Sequence, residues 1–242
     1  MSPAENQLSC LLIHGFTSSS AEFGELSRYL QENNLEVVCE DLPGHGTTIK
    51  DCNRTRYQDW LTHAEWQTAK LASRGQEIVL LGHSMGAVLA LHLASLFPVR
   101  CMVLSAPTLI FNNPFWINNV VPLVSFFKSG WSKPDVFGRF QEEPGAVYKY
   151  SHYPLKALVQ FNRLTSLVKT ELPGINTPLL IQYSKEDTRS PYYNVEFIQE
   201  QVASQNIQVS GFDDVGHNLW YKSVKQSHIF SEVLSFIQSQ NP

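Results

Sequence analysis

A glycine-flanked serine between two apolar segments is the feature that most restricts how this chain can fold. The pentapeptide Gly82-His-Ser-Met-Gly86 directly follows the apolar run 78–81 and opens a second apolar run at 87–94. This order predicts a strand, a sharp turn and a helix, with Ser84 in a strained backbone conformation at the turn. Both flanking glycines fit the prediction, because chain segments approach too closely there to leave room for a Cβ atom. A serine that only caps a helix is the alternative interpretation of the same residues.

Short apolar runs alternate with longer amphipathic runs on both sides of this turn. The runs predicted as strands are 8–13, 35–40, 77–81, 101–105, 179–183 and 207–212. The runs with helical spacing of apolar residues are 19–33, 57–72, 85–97, 192–201 and 224–238. The alternation predicts an α/β fold with a mainly parallel sheet that helices cover on both faces.

The alternation stops between residues 107 and 173. We therefore expect one domain built from 1–106 and 174–242, interrupted by a small inserted cap at 107–173. Eight aromatic residues crowd its first part: Phe111, Phe115, Trp116, Phe126, Phe127, Trp131, Phe137 and Phe140. If the cap covers the serine turn, Phe111, Trp116, Phe127 and Trp131 are the candidates for an apolar substrate pocket. Packing of the cap on the core and a membrane-facing lid are two further interpretations, although no basic face accompanies the aromatic side chains.

Composition excludes several classes of protein. The 242 residues are 43% apolar and 17% charged, with a formal net charge of −4 and no run of Lys or Arg, so nucleic-acid binding has no electrostatic support. The four cysteines have no metal-binding spacing, and we expect reduced thiols and no metal. The first residues lack the pattern of a signal peptide, and no apolar run has membrane-spanning length. These features favour a cytoplasmic protein without stable membrane insertion, and they specify no oligomeric state.

A serine hydroxyl needs a base to remove its proton and an acid to orient that base. On a sheet of this kind the expected chain order is serine, acid, histidine. Asp187 follows the strand predicted at 179–183, and His217 lies between the last strand and the last helix, so these two are the candidate partners of Ser84. The adjacent Glu186 is the alternative for the acid.

Acyl transfer also requires backbone N–H donors for a developing oxyanion. The residue after the candidate nucleophile supplies one donor, which is the Met85 amide. The loop after the first strand supplies the second, and Phe16 in His14-Gly-Phe-Thr17 is the candidate there. His14 and Gly15 also fit a tight turn braced by a histidine side chain, and the brace would set the direction of the amide.

These segments together resemble the α/β-hydrolase superfamily, and within it small bacterial carboxylesterases and their monoacylglycerol-lipase relatives. The resemblance rests on five segments in family order: 11–17, 41–46, 82–86, 184–187 and 216–217. Ala87 departs from the pattern, because many relatives have a second glycine after the serine turn. The resemblance implies ester hydrolysis through an acyl-enzyme, without a cofactor. Together with the aromatic segment, it leads us to expect apolar acyl esters of small alcohols as substrates. Monoacylglycerol or lysophospholipid hydrolysis, carbon–carbon bond hydrolysis and a ligand-binding receptor on the same fold are the alternatives.

Overall fold

Six parallel strands form the central sheet of the computed structural model, which describes residues 8–133 and 150–240. The strands are β1 (Leu8–Ile13), β2 (Glu36–Cys39), β3 (Glu77–His83), β4 (Cys101–Ser105), β7 (Leu179–Ser184) and β8 (Ile207–Phe212). Their order across the sheet is β2-β1-β3-β4-β7-β8, and each neighbouring pair runs parallel. The predicted α/β fold is confirmed, with strand ends that differ from the expected ones by one or two residues.

Helices cover both faces of the sheet, as the alternation indicates. The helices are α1 (Gly24–Glu32), α2 (Ile49–Cys52), α3 (Tyr57–Ala72), α4 (Met85–Leu96), α5 (Val121–Val124), α6 (Leu155–Glu171), α7 (Tyr193–Gln201) and α8 (Gln226–Ser239). The helix expected at 19–33 begins as a 3₁₀ turn, Ser20–Phe23, and continues as α1. None of the described helices is long and apolar enough to cross a bilayer.

Successive side chains of the central strands point to opposite faces and fill two apolar layers. Leu11 and Leu80 pack with the inner faces of α3, α4 and α6, whereas Leu12 and Leu81 pack with α1 and α8 on the other side. All residues from Met85 to Ala94 are buried, because α4 lies between the sheet and two further helices. The serine turn is therefore anchored between a strand and a helix that are both almost entirely buried.

The described part of the segment 107–173 divides into two portions of different character. Its first portion holds a π-helical turn (Trp116–Val120), α5, and an antiparallel pair of short strands, β5 (Gly130–Ser132) and β6 (His152–Pro154). Its second portion is α6, which packs against α3 and α4 and contributes buried side chains to the main apolar layer. Two of the aromatic residues noted in the sequence, Phe137 and Phe140, lie outside the described residues.

The strand order fixes where a site can form. From β1 the chain moves outward to β2 and then returns to the other side of β1 as β3. The loops that leave β1 and β3 therefore diverge, and a crevice opens at the carboxyl ends of these strands. The loop at 14–18 and the serine turn at Ser84 border this crevice.

Candidate active site

Ser84 occupies a backbone conformation that few residues adopt. Its φ is 55° and its ψ is −109°, and its amide donates a hydrogen bond of 2.8 Å to the Ser105 carbonyl at the end of β4. A Cβ atom at Gly82 would collide with the Gly86 backbone, and one at Gly86 would collide with the Ile13 carbonyl. The strand, the turn and the helix therefore pack too closely to accommodate a Cβ atom at either glycine, as the sequence predicts. The turn places the Ser84 hydroxyl at the edge of the sheet.

Two hydrogen bonds connect Ser84, His217 and Asp187. His217 Nε2 lies 3.0 Å from Ser84 Oγ, and His217 Nδ1 lies 2.6 Å from Asp187 Oδ2. The side chains of His217 and Asp187 are 10% and 1% exposed. Glu186 instead points to the surface, where one carboxylate oxygen accepts the Asp214 amide at 3.3 Å. Of the two adjacent carboxylates, the structure brings Asp187 to the histidine.

The environment of Asp187 keeps it ionised. Its Oδ1 accepts hydrogen bonds from the amides of Arg189 (2.8 Å) and Ser190 (3.2 Å). Burial is the largest single influence and raises the pKa of Asp187, but the hydrogen bond and charge of His217 and the two amides outweigh it, so the pKa is lowered overall. A carboxylate at this position accepts the Nδ1 proton of His217, which leaves Nε2 as an acceptor facing the serine hydroxyl.

Thr108 is a neighbour of the serine that the sequence analysis did not identify. Its Oγ1 lies 3.2 Å from Ser84 Oγ and 3.2 Å from the Ala106 carbonyl, to which it donates. Its position follows from the strand register, because β4 pairs in parallel with β3 and ends at Ser105, opposite His83. Residues just after β4 must therefore lie beside the serine turn.

His83 links the serine turn to the histidine loop. Its Nε2 donates to the Asn218 Oδ1 at 3.0 Å, and its ring centroid lies 5.0 Å from that of His217. Because Asn218 directly follows His217, this contact fixes the loop that carries the candidate base.

The Phe16 amide is directed by the residues before it. The Gly15 carbonyl accepts from the Ser18 amide (3.2 Å) and from His14 Nδ1 (3.0 Å), while the Leu42 amide donates to His14 Nε2 (2.9 Å). Burial lowers the pKa of His14, so the ring is neutral and carries its proton on Nδ1.

This bracing has a geometric consequence for the candidate oxyanion donors. The Gly15 carbonyl and the Phe16 N–H belong to one planar trans peptide and point in opposite directions, so fixing the carbonyl directs the N–H away from it. The Met85 amide is the first of α4 and has no partner within the helix. In the part of the chain that the structure describes, neither amide donates to a protein acceptor.

A cavity of about 490 Å³ opens beside Ser84 and His217. Its apolar lining combines core and inserted-segment side chains: Phe16, Phe111, Trp116, Ile117, Val121, Val124, Trp131, Leu155, Leu158 and Phe161. Three of the four aromatic residues predicted for a pocket, Phe111, Trp116 and Trp131, are therefore on its wall. Phe127 is not, because it follows α5 in a turn that projects into solvent and its side chain is 91% exposed.

Comparison with known proteins places the chain in a family. The Hydrolase_4 family, described as "Serine aminopeptidase, S33", matches residues 4–223. A thermostable monoacylglycerol lipase of Bacillus sp. (strain H-257) is 30% identical over 210 residues, which cover 83% of this chain and 79% of that protein. A carboxylesterase of Bacillus subtilis (strain 168) is 24% identical over 209 residues, which cover 86% and 83%.

Solved structures show the same fold. A structure from work on the metagenome-derived lipolytic enzymes LipS and LipT superposes with a TM-score of 0.84 at 21% identity, covering 97% of this chain and 94% of that one. Together with the family match, this agreement extends over almost the whole length of the chain. The chain therefore belongs to the Hydrolase_4 family and is a serine hydrolase with the α/β-hydrolase fold, of the lipase and esterase type.

Proposed function

We propose that this protein hydrolyses carboxylic esters of apolar acyl groups and small alcohols, with Ser84 as nucleophile, His217 as base and Asp187 as orienting acid. The observation that carries the proposal is the unbroken hydrogen-bond chain from Asp187 through His217 to Ser84, which ends in an apolar cavity. A nucleophile, a base and a buried acid within hydrogen-bond reach are what covalent acyl transfer requires.

In the first half of the proposed reaction, His217 Nε2 takes the Ser84 proton as Oγ bonds to the ester carbonyl carbon. The carbonyl oxygen becomes an oxyanion, which the Phe16 and Met85 amides stabilise. When this intermediate collapses, the bond between the carbonyl carbon and the alcohol oxygen breaks. His217 then gives its proton to the leaving alcohol, and the acyl group remains on Ser84.

In the second half, His217 takes a proton from water as the water oxygen bonds to the acyl carbon. Collapse of the second oxyanion breaks the bond to Ser84 Oγ, and the proton returns to the serine. Asp187 keeps its negative charge throughout and stabilises the imidazolium that forms in each half.

The chemical character of the cavity lining is consistent with a substrate that has an apolar acyl group and a polar alcohol. Its volume of about 490 Å³ lies within the usual range for small-molecule sites, and its wall is mostly apolar. Asn112, Asn113 and Asn218 also line it and offer hydrogen bonds to hydroxyl groups. Because one relative is named a monoacylglycerol lipase, we propose a monoacylglycerol as the substrate to test first, with residues 107–173 acting as a cap over it.

The test uses the purified chain and its Ser84→Ala variant. We expect the wild type to hydrolyse p-nitrophenyl esters and monoacylglycerols and to be labelled at Ser84 by a fluorophosphonate. The variant should lose label and at least about 10³-fold in kcat, because removing a triad member leaves only the weaker binding and oxyanion effects. Absence of ester hydrolysis by the wild type, or full activity of the variant, would overturn the proposal.

Two further substrates in the same panel separate the alternatives. An aminoacyl p-nitroanilide tests the peptidase activity that the family description suggests, and a diketone tests carbon–carbon bond cleavage. Hydrolysis of either at a higher kcat/KM than every ester would contradict ester hydrolysis as the principal reaction.

A further inference from the structure

A buried carboxylate lies directly behind the loop that carries the candidate oxyanion amide. Glu22, in the 3₁₀ turn after β1, is 3% exposed. One of its oxygens accepts the Gly15 amide at 2.9 Å, and the other accepts the Ser18 hydroxyl at 2.6 Å. Burying a carboxylate costs free energy unless hydrogen bonds compensate for it, so the placement calls for an explanation. Nothing in the proposed chemistry uses Glu22 directly.

The two contacts of Glu22 hold both ends of a single turn. Residues Gly15 to Ser18 form this turn, which the hydrogen bond from the Ser18 amide to the Gly15 carbonyl closes. Inside it, Thr17 has a φ of 63°, which is a strained backbone conformation for a β-branched residue. Such strain persists only where the surrounding structure stabilises it. Glu22 does so through its hydrogen bonds to Gly15 and Ser18, which lie on either side of Thr17.

Gly15 is the residue of this turn whose backbone conformation most depends on hydrogen bonds to its neighbours. A Cβ atom there would lie 3.0 Å from the His83 ring and 3.3 Å from the Ser84 side chain, so a glycine is favoured by the close approach of the two loops. A glycine, however, has more rotational freedom than any other residue. Its N–H is held by Glu22 and its C=O by His14 and Ser18, so both peptide groups that meet at Gly15 are fixed.

We infer that Glu22 is a positioning residue, which aims the Phe16 amide at the oxyanion by immobilising the Gly15–Ser18 turn. This inference rests on the proposed ester hydrolysis and on the Phe16 amide as one of its donors. The effect is exerted through hydrogen-bond geometry, because an additional negative charge behind the oxyanion would by itself oppose its formation.

Substitution of Glu22 separates geometry from charge. Glu22→Gln keeps an acceptor for the Gly15 amide and offers an N–H to the Ser18 oxygen, whereas Glu22→Ala removes both contacts. On a soluble p-nitrophenyl ester we expect Glu22→Ala to lower kcat by about 10- to 100-fold, somewhat less than the loss of an oxyanion donor, with KM within about twofold. Glu22→Gln should restore kcat to within about threefold of the wild type. Glu25→Ala, three residues away and exposed, is the matched control.

A transition-state analogue supplies a readout that a purely structural role would not change. Affinity for a trifluoromethyl ketone, which forms an oxyanion on Ser84, should fall in Glu22→Ala by the same factor as kcat. Circular dichroism at the assay temperature checks that the variant is folded. If Glu22→Ala does not fold, Ser18→Ala, which removes one contact only, should still lower kcat severalfold at constant KM.

The measurements decide whether Glu22 positions the Phe16 amide. An unchanged kcat in folded Glu22→Ala would overturn this role, as would an unchanged kcat in Ser18→Ala if that variant has to replace Glu22→Ala. A loss in Glu22→Gln as large as in Glu22→Ala would also overturn it, since the charge would then be what matters. Failure of the proposed function is distinguishable, because it would appear as absent hydrolysis in the wild type before any Glu22 variant is compared.

Discussion

The catalytic centre and the inserted segment differ in how their side chains are held. Ser84, His217 and Asp187 stand at strand ends, and each has hydrogen bonds that fix its orientation. The cavity side chains that the inserted segment contributes are largely apolar and pack on one another, as where Trp116 and Trp131 meet edge to face at 6.1 Å, with the Lys128 ammonium over the Trp131 ring. These two rings line the cavity and are yet 41% and 47% exposed. We propose from this comparison that a rigid, polar reaction centre is combined with an adaptable, apolar surface that selects the acyl group.

Asp187→Asn is the strongest test of the rigid part of the molecule, the hydrogen-bonded arrangement of Ser84, His217 and Asp187. The amide removes the charge that stabilises the imidazolium, and it can donate to His217 Nδ1, which places the ring in the wrong tautomer. We expect kcat for a p-nitrophenyl ester to fall by about 10⁴-fold, with little change in KM. Steady-state kinetics at neutral pH provides the measurement.

Glu186→Gln is the matched control for that variant. Glu186 is adjacent in sequence, but it contacts the Asp214 amide at the surface, so its kcat should stay within about twofold of the wild type. A loss confined to Glu186→Gln would mean that the neighbouring carboxylate is the acid.

The adaptable half is tested with two aromatic residues of the inserted segment. Phe111 lines the cavity and meets Phe161 edge to face at 5.1 Å, whereas Phe127 lies outside the lining. Phe111→Ala should raise KM for a long-chain ester by about tenfold and for an acetate ester much less. The tenfold change corresponds to about 1.4 kcal/mol, part of what burial of a phenyl ring contributes. Phe127→Ala should leave both KM values unchanged, and equal effects of the two substitutions would contradict the division of the segment into wall and surface.

The sequence predicts the core well because its signals are local. The six strands of the sheet and the serine turn follow from apolar periodicity and from two glycines whose Cβ atoms would collide with neighbouring backbone. The candidate site residues Ser84, Asp187 and His217 follow from the order in which parallel strands deliver loops to one edge.

What the sequence does not reveal depends on contacts between distant residues. Thr108 and Glu22 reach the site through strand register and loop packing, which no periodicity encodes. The helix α6 lies in the segment for which no regular alternation is predicted, although its buried apolar residues recur at helical spacing. Phe111 and Phe127 are chemically identical, and the helical turns between them, at 116–120 and 121–124, are too short for a periodic pattern that indicates which one faces inward.

The smallest effect we predict concerns acid stability of the core beneath the Phe16 loop. His45 packs against Phe16 and Trp60 and is 2% exposed. Its Nε2 is buried without a hydrogen-bond partner among the described residues. Burial, reinforced by the neighbouring His14, lowers the pKa of His45 to about 3 although carbonyl contacts oppose the shift. The unfolded chain, with an ordinary histidine pKa near 6.5, therefore binds a proton that the folded chain excludes.

The direction of the pH effect on stability follows from the difference between the pKa values of His45 in the folded and unfolded chain. His45 supports stability fully above pH 6.5, and its contribution is lost as the pH falls from 6.5 toward 3. The lowered pKa of His14 acts in the same direction. His45→Gln retains a donor for the Pro43 carbonyl and cannot titrate. Between pH 7 and pH 4.5 its Tm should therefore fall by several °C less than that of the wild type. Identical slopes for His45→Gln and the wild type would place the acid sensitivity outside the core beneath the Phe16 loop and would contradict the prediction.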